Sequence, residues 1–262
     1  MMHPLIITAT PNICWLQPRV EYPQTTKTIS EEAFRCKEAG ATILHTHGQG
    51  KWEEVLKEIR MKSDIIIQCG MSSLTSEERM DVFKSHGDMI SIILNHHDEA
   101  FVGADINVLH PREELVEYAR MCKINKVIPE WEVWHAGSIW NLNYLINNKH
   151  ISPPFVTTLF FGWPGGTWSP ATIEEYQYRR RMMPEGCVCN VSIMGEGQRE
   201  IITAAILNGD HVRVGTEDSP YTHDGKIAST YELVSETAEM ARTLGRPLAT
   251  VKQAREMIGI CQ

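Results

Sequence analysis

No stretch of this chain approaches the roughly 18 consecutive apolar residues of a membrane span. The N-terminus, MMHPLIITATP, has no basic segment ahead of its short apolar run, so no export signal is expected. Positive charge is in deficit as well: 25 Lys and Arg stand against 33 Asp and Glu, a formal net charge of −8. The basic residues are scattered, which excludes the electrostatic footprint of a nucleic-acid or anionic-membrane partner. Paired cysteines at zinc-ribbon spacing are missing too. The seven cysteines are an odd number lying mostly inside apolar runs, which points to reduced thiols in the cytoplasm, and Cys187-Val188-Cys189 reads as alternation along a strand. A phosphate loop is also lacking, because Gly-Trp-Pro-Gly-Gly at 162–166 follows a strand without opening a helix and reads as a turn. What is present, 42% hydrophobic and 22% charged residues, suits one large core and a small-molecule substrate.

Short β-branched runs alternate with helix-patterned segments, as a parallel sheet joined by crossover helices requires. The runs are 5–10, 42–47, 64–69, 89–94, 127–133, 155–161, 187–193 and 211–215, eight in all. Helices are expected at 29–39, 52–61, 75–85, 111–122, 137–148, 170–181 and 197–208, with Ser30, Ser76 and Ser169 among the capping residues, and closing helices at 229–244 and 250–258. Eight units in this length predict a (β/α)₈ (TIM) barrel, an α/β fold, forming a single domain over 1–262.

Functional side chains of such a barrel belong at the C-terminal ends of the strands. His45 and His47 close the second run and, two residues apart, point to the same side, so both imidazoles can reach one ion. HVRVGTEDS brings Arg213, Glu217 and Asp218 to the end of the eighth. A carboxylate there completes a two-His, one-carboxylate set with open positions; the alternative is an Arg–carboxylate pair sealing the rim. Glu130 and Glu132 lie in an otherwise apolar fifth run, and a buried carboxylate must be paired or ligating. One of them, Glu132 first, is expected to serve the site.

These residues, with EAGATILHTH, IPEWEVWHAG, FFGWPGG, HVRVGTED and the ending GRPLATVKQAREMIGI, resemble the β-keto acid cleavage enzymes over nearly the whole chain. The resemblance implies a zinc barrel with His45, His47 and Glu217 as ligands, in a homotetramer. It implies that a β-keto acid and acetyl-CoA yield acetoacetate and a new acyl-CoA through a metal-stabilised enolate. Asp218 would be the general base, Arg213 would orient it, and Glu132 would complete the network.

Several family positions differ. Trp15 stands where an acidic residue is expected, reading as a hydrophobic lid or a face for a cationic group, and the arginine expected beyond it falls near Pro18. His-x-His runs on into Gly48-Gln49-Gly50 rather than an Arg-acid pair. Gly70 replaces a serine whose hydroxyl Ser72 or Ser73 could supply, and Ser91 replaces a threonine. Asn95, His96, His97 and Asp98 make the next loop rich in imidazole, with His96 either a third group near the metal or a solvated side chain. Glu196 stands in a stretch that usually ends in arginine. Trp15, Ser72, Ser91 and His96 are thus the candidates for substrate contact, and the substrate is expected to carry less negative charge. Two alternatives stay open: the same metal site in CoA-independent lyase, hydrolase or oxygen-dependent chemistry, and a non-catalytic ligand-binding barrel.

Overall fold

A computed structural model describes residues 3–15, 20–48, 51–71, 74–98, 107–163 and 169–260. Its strands are β1 (Ile7–Ala9), β2 (Ile43–Thr46), β3 (Ile66–Cys69), β4 (Met89–Ile93), β5 (His96–Asp98), β6 (Asn107–Leu109), β7 (Ile128–Val133), β8 (Phe155–Phe161), β9 (Cys187–Ile193) and β10 (His211–Val214). The helices are α1 (Thr26–Ala39), α2 (Trp52–Lys62), α3 (Ser76–Phe83), α4 (Arg112–Asn125), α5 (Ser138–Asn147), α6 (Ile173–Met182), α7 (Gln198–Asn208), α8 (Thr230–Thr243) and α9 (Val251–Ile258). Eight strands close a parallel barrel in the order β1-β10-β9-β8-β7-β4-β3-β2, which is the (β/α)₈ architecture that the alternation predicts.

Strand alternation sorts the side chains. Outward residues such as Leu44, Ile67, Ile90, Trp131, Leu159, Val191 and Val212 pack under the helices in the main core. Inward residues form layers. At the N-terminal end Ile6, Ile43, Ile66, Met89 and Val156 meet Ala254 and Ile258 of α9, which plugs the barrel. Two residues further along come Thr8, His45, Gln68, Ser91, Glu130, Thr158 and Asn190, all buried. Barrel interiors are ordinarily filled by branched aliphatics, so a polar layer at this depth needs a chemical reason.

Helix starts follow capping chemistry, with three corrections. Thr25, Thr75 and Thr172 are the N-caps of α1, α3 and α6. Ser30 instead lies inside α1 and donates to the Lys27 carbonyl, Ser76 is the first residue of α3, and the Ser169 hydroxyl donates to the Trp134 carbonyl. The closing segment is fastened by Arg246, which is 1% exposed and donates to the carbonyls of His3, Ile206, Gly209 and Asp210. The hairpin of β5 and β6, antiparallel with His96 opposite Leu109, was not expected. A three-residue His-His-Asp strand carries no apolar alternation, and its backbone ladder leaves no trace in the sequence pattern.

Candidate active site

β2 ends in the two imidazoles. His45 Nε2 lies 3.3 Å from His47 Nε2 and 3.6 Å from Glu217 Oε2, while His47 Nε2 lies 3.4 Å from Glu217 Oε1. An ion held tetrahedrally by such donors at about 2.0–2.1 Å separates them by roughly 3.3 Å, so the three groups are spaced as ligands. Two further observations support the fit. Glu217 Oε2 is buried and makes no hydrogen bond, and Gly70 leaves the room both rings occupy. A Cβ at Gly70 would sit 2.5 Å from His47 Cε1 and 2.9 Å from His45 Nε2.

The trio is held from behind. Asn12, wholly buried, accepts from the Thr46 hydroxyl (2.8 Å) and the His47 amide (3.1 Å) and donates to the His47 carbonyl (2.9 Å), fixing the end of β2. His45 Nδ1 meets Gln68 Oε1 at 2.8 Å, and Gln68 Nε2 donates to Glu130 Oε2 at 3.2 Å. On the facing side Arg213 forms an ion pair with Glu217 Oε1 (3.0 Å) and donates to Asp218 Oδ1 and Oδ2 (2.9 and 3.1 Å), and the Ser192 hydroxyl adds a bond to Asp218 Oδ2 (3.0 Å). Gly215 lets β10 approach β1 this closely, since a Cβ there would lie 2.4 Å from the Thr10 carbonyl oxygen.

Burial sets the protonation states. It pushes His45 down to about 3, so the ring stays neutral and able to ligate. Burial alone would raise Glu217, but Arg213 and the two imidazoles outweigh it and hold this carboxyl well below the usual range. Asp218 is pushed up to about 6 by burial against the pull of Arg213, which suits a proton acceptor near neutrality. Burial and the neighbouring Glu132 push Glu130 up to about 8.

Opposite the metal ligands the mouth is apolar. Ile93, Trp134, Phe160, Trp163 and Met194 form a buried cluster, with half-buried Trp15 packed against it. Trp134 stacks on Phe160 at 4.9 Å between centroids and donates to Glu132 Oε2 at 2.9 Å. The Arg213 guanidinium lies 5.2 Å from the Phe160 centroid.

The structure thus brings His45, His47, Arg213, Glu217, Asp218, Glu132 and Trp15 to one end of the barrel. Ser91 is in the polar layer beside Glu130, the layer that also holds His45. His96 lies on β5 within electrostatic reach of His135 and is outside the ligand trio. Ser72 and Ser73 lie outside the described residues, as do Pro18, Gln49, Gly50 and 164–166. Asn12, Gln68, Ser192 and Trp134 are functional contacts that the sequence reading passed over. Gln68 and Ser192 carried the signal that had picked out Glu130, a polar residue inside an apolar run.

A model of the beta-keto acid cleavage enzyme family matches residues 4–260. The chain belongs to that family. The 3-keto-5-aminohexanoate cleavage enzyme of Acetoanaerobium sticklandii is 30% identical over 278 residues, covering 99% of both chains. A 3,5-dioxohexanoate:acetyl-CoA acetone transferase of Paraburkholderia graminis is 26% identical over 296 residues, covering 97% of this chain and 95% of its own. Among solved structures, the complex of ObcA with oxaloacetate superposes with a TM-score of 0.74 at 16% identity, covering 93% of this chain and 68% of that one, a likeness of fold. This β-keto acid cleavage enzyme family member is therefore an enzyme of carbon–carbon bond cleavage and acyl transfer, built on a TIM barrel.

Proposed function

We propose that the protein converts a β-keto acid and acetyl-CoA into acetoacetate and a new acyl-CoA, with a divalent ion, zinc, held by His45, His47 and Glu217. The observation that carries this reading is Asp218, a buried carboxylate fixed by Arg213 and Ser192 directly beside the donor trio. Asp218 takes the proton from the carbon between the carboxylate and the ketone. That carbon bonds to the acetyl carbonyl carbon as the CoA sulfur leaves it; the sulfur then bonds to the old ketone carbon as the carbon–carbon bond there breaks, and Asp218 returns its proton to the carbanion, giving acetoacetate and the new acyl-CoA. The bound ion supplies Lewis acidity to the substrate oxygens. Arg213 spans Asp218 and Glu217 and keeps both oriented, and Glu132, fixed by Trp134, closes the charged network.

The substituent on the released acyl group is uncharged on this reading, because the far side of the mouth is the cluster of Ile93, Trp134, Phe160, Trp163, Met194 and Trp15. Ser91, Ser72 and His96 remain the further candidates for substrate contact. The protein acts as a homotetramer and a single-domain enzyme of the cytoplasm, a compartment that suits the buried thiols of Cys36, Cys69, Cys122 and Cys189.

The test is acetoacetate formation from a panel of β-keto acids, with and without acetyl-CoA, on zinc-loaded protein. Acetoacetate that depends on acetyl-CoA supports the reading; keto acid consumed equally well without acetyl-CoA would select lyase or hydrolase chemistry instead. Asp218→Asn should keep its zinc and lose turnover by roughly 100-fold or more.

A further inference from the structure

Gln68 stands beneath the ligands with no place in that reaction, yet it is 3% exposed and bonded at both ends of its amide. Its Oε1 faces His45 Nδ1 and its Nε2 faces Glu130 Oε2, while Glu130 Oε1 is buried without a hydrogen-bond partner. The orientation of a glutamine amide is set by its partners. Glu130 Oε2 accepts from the amide nitrogen also when the carboxyl carries its proton on the unpartnered Oε1, and the amide oxygen then faces His45. His45 Nδ1 consequently has to carry the hydrogen, which leaves the Nε2 lone pair directed at His47 and Glu217. Gln68 and His45 are also neighbours in strand register, so the contact rests on the barrel itself.

We infer that Gln68, locked by Glu130, is a positioning residue that fixes the Nδ1–H tautomer of His45 and thereby sets the affinity of the site for a divalent ion. The inference rests on the proposed metal site. It explains why a layer normally aliphatic is polar here: a buried carboxyl three strands from the imidazole chooses which of its nitrogens is free. Outer partners of this kind typically change metal affinity by about 10–100-fold.

The experiment uses the full chain and zinc alone. Zinc affinity is measured by competition with a chromogenic chelator, and the His45 tautomer by nitrogen NMR of the metal-free protein. Gln68→Met, close in shape and without an acceptor, should weaken zinc by about 10–100-fold and mix the His45 tautomers. Glu130→Met should shift both readouts in the same direction by less, whereas Glu130→Gln, which keeps an acceptor, should restore them. The Glu130 pair keeps the test decisive if Gln68→Met fails to fold. Zinc affinity unchanged in Gln68→Met or Glu130→Met, or an Nε2–H tautomer in the wild type, would overturn the inference with the metal site intact. A wild type that binds no zinc would overturn the metal site and this inference together.

Discussion

His211 offers a test of the barrel's wall that is independent of its chemistry. The ring is 6% exposed, and its Nδ1 accepts the Ile6 amide at 3.0 Å, tying β10 to the residue just before β1. Protonation would break that bond and place a cation beside Arg246, 3.5 Å away. Burial, then Arg246, pushes the ring's pKa from 6.5 to about 3. The unfolded chain therefore binds the proton more readily, so this contribution to stability is complete above about pH 6.5 and is lost as pH falls toward 3. With those two values the loss at pH 5 is about 2 kcal/mol, and at pH 4 about 3 kcal/mol. Urea unfolding at pH 7.5 and pH 5 measures it, with His211→Asn as reference because the amide oxygen accepts the Ile6 N–H but does not titrate. The wild type should lose about 2 kcal/mol more than the variant between the two pH values, and His45 cancels in that difference. Equal losses would show that His211 is not held neutral in the wall.

Three further outcomes are expected. Arg213→Met leaves Glu217 and Asp218 buried without their counter-charge and should destabilise the metal-free protein by about 3–5 kcal/mol in urea unfolding. His47→Ala removes one of three ligand atoms, so zinc measured by elemental analysis should fall from about one per chain to near zero after dialysis. Gly70→Ala drives a methyl group into both imidazoles and should weaken zinc on the order of tenfold in chelator competition, with the fold retained by circular dichroism.

The barrel was legible because its signal repeats: eight apolar runs at regular spacing leave little freedom of architecture. His45, His47, Glu217 and Asp218 were legible for a related reason, since the strand ends on which they fall are where this fold keeps its chemistry. Side-chain partners were not. Glu130 and Glu132 differ by one turn of strand alternation and read alike, yet one reaches a glutamine beneath the metal ligands and the other a tryptophan above them. That choice depends on barrel stagger, which pairs Glu130 with Ser91 and Val156 and is not written in either segment alone. The helix starts were misplaced for a local reason. Serine and threonine are alike in pattern; Thr25 and Thr75, upstream of the serines, won because a side chain three residues on returned the bond, and at α6 the cap is Thr172, three residues beyond Ser169.

Charge supplies the last step. Glu132, Glu217 and Asp218 gather as carboxylates around Arg213, while Glu130, at about 8, holds its proton near neutral pH. Three negative charges against one positive leave an excess of two among buried side chains, and buried charge without compensation is strongly destabilising. Burial, against the pull of Arg213, raises Asp218 to about 6, and Glu217 adds to that rise. A single divalent cation beside Glu217 removes it; a monovalent ion would leave half. The neutral imidazoles supply donors of the right softness but say nothing about the charge of their guest, so under the proposed function it is the carboxylates around Arg213, rather than the histidine pair, that favour a dication. Asp218 would then titrate lower with the ion in place, since the same field that holds the substrate's oxygens also holds its base in the ionised form.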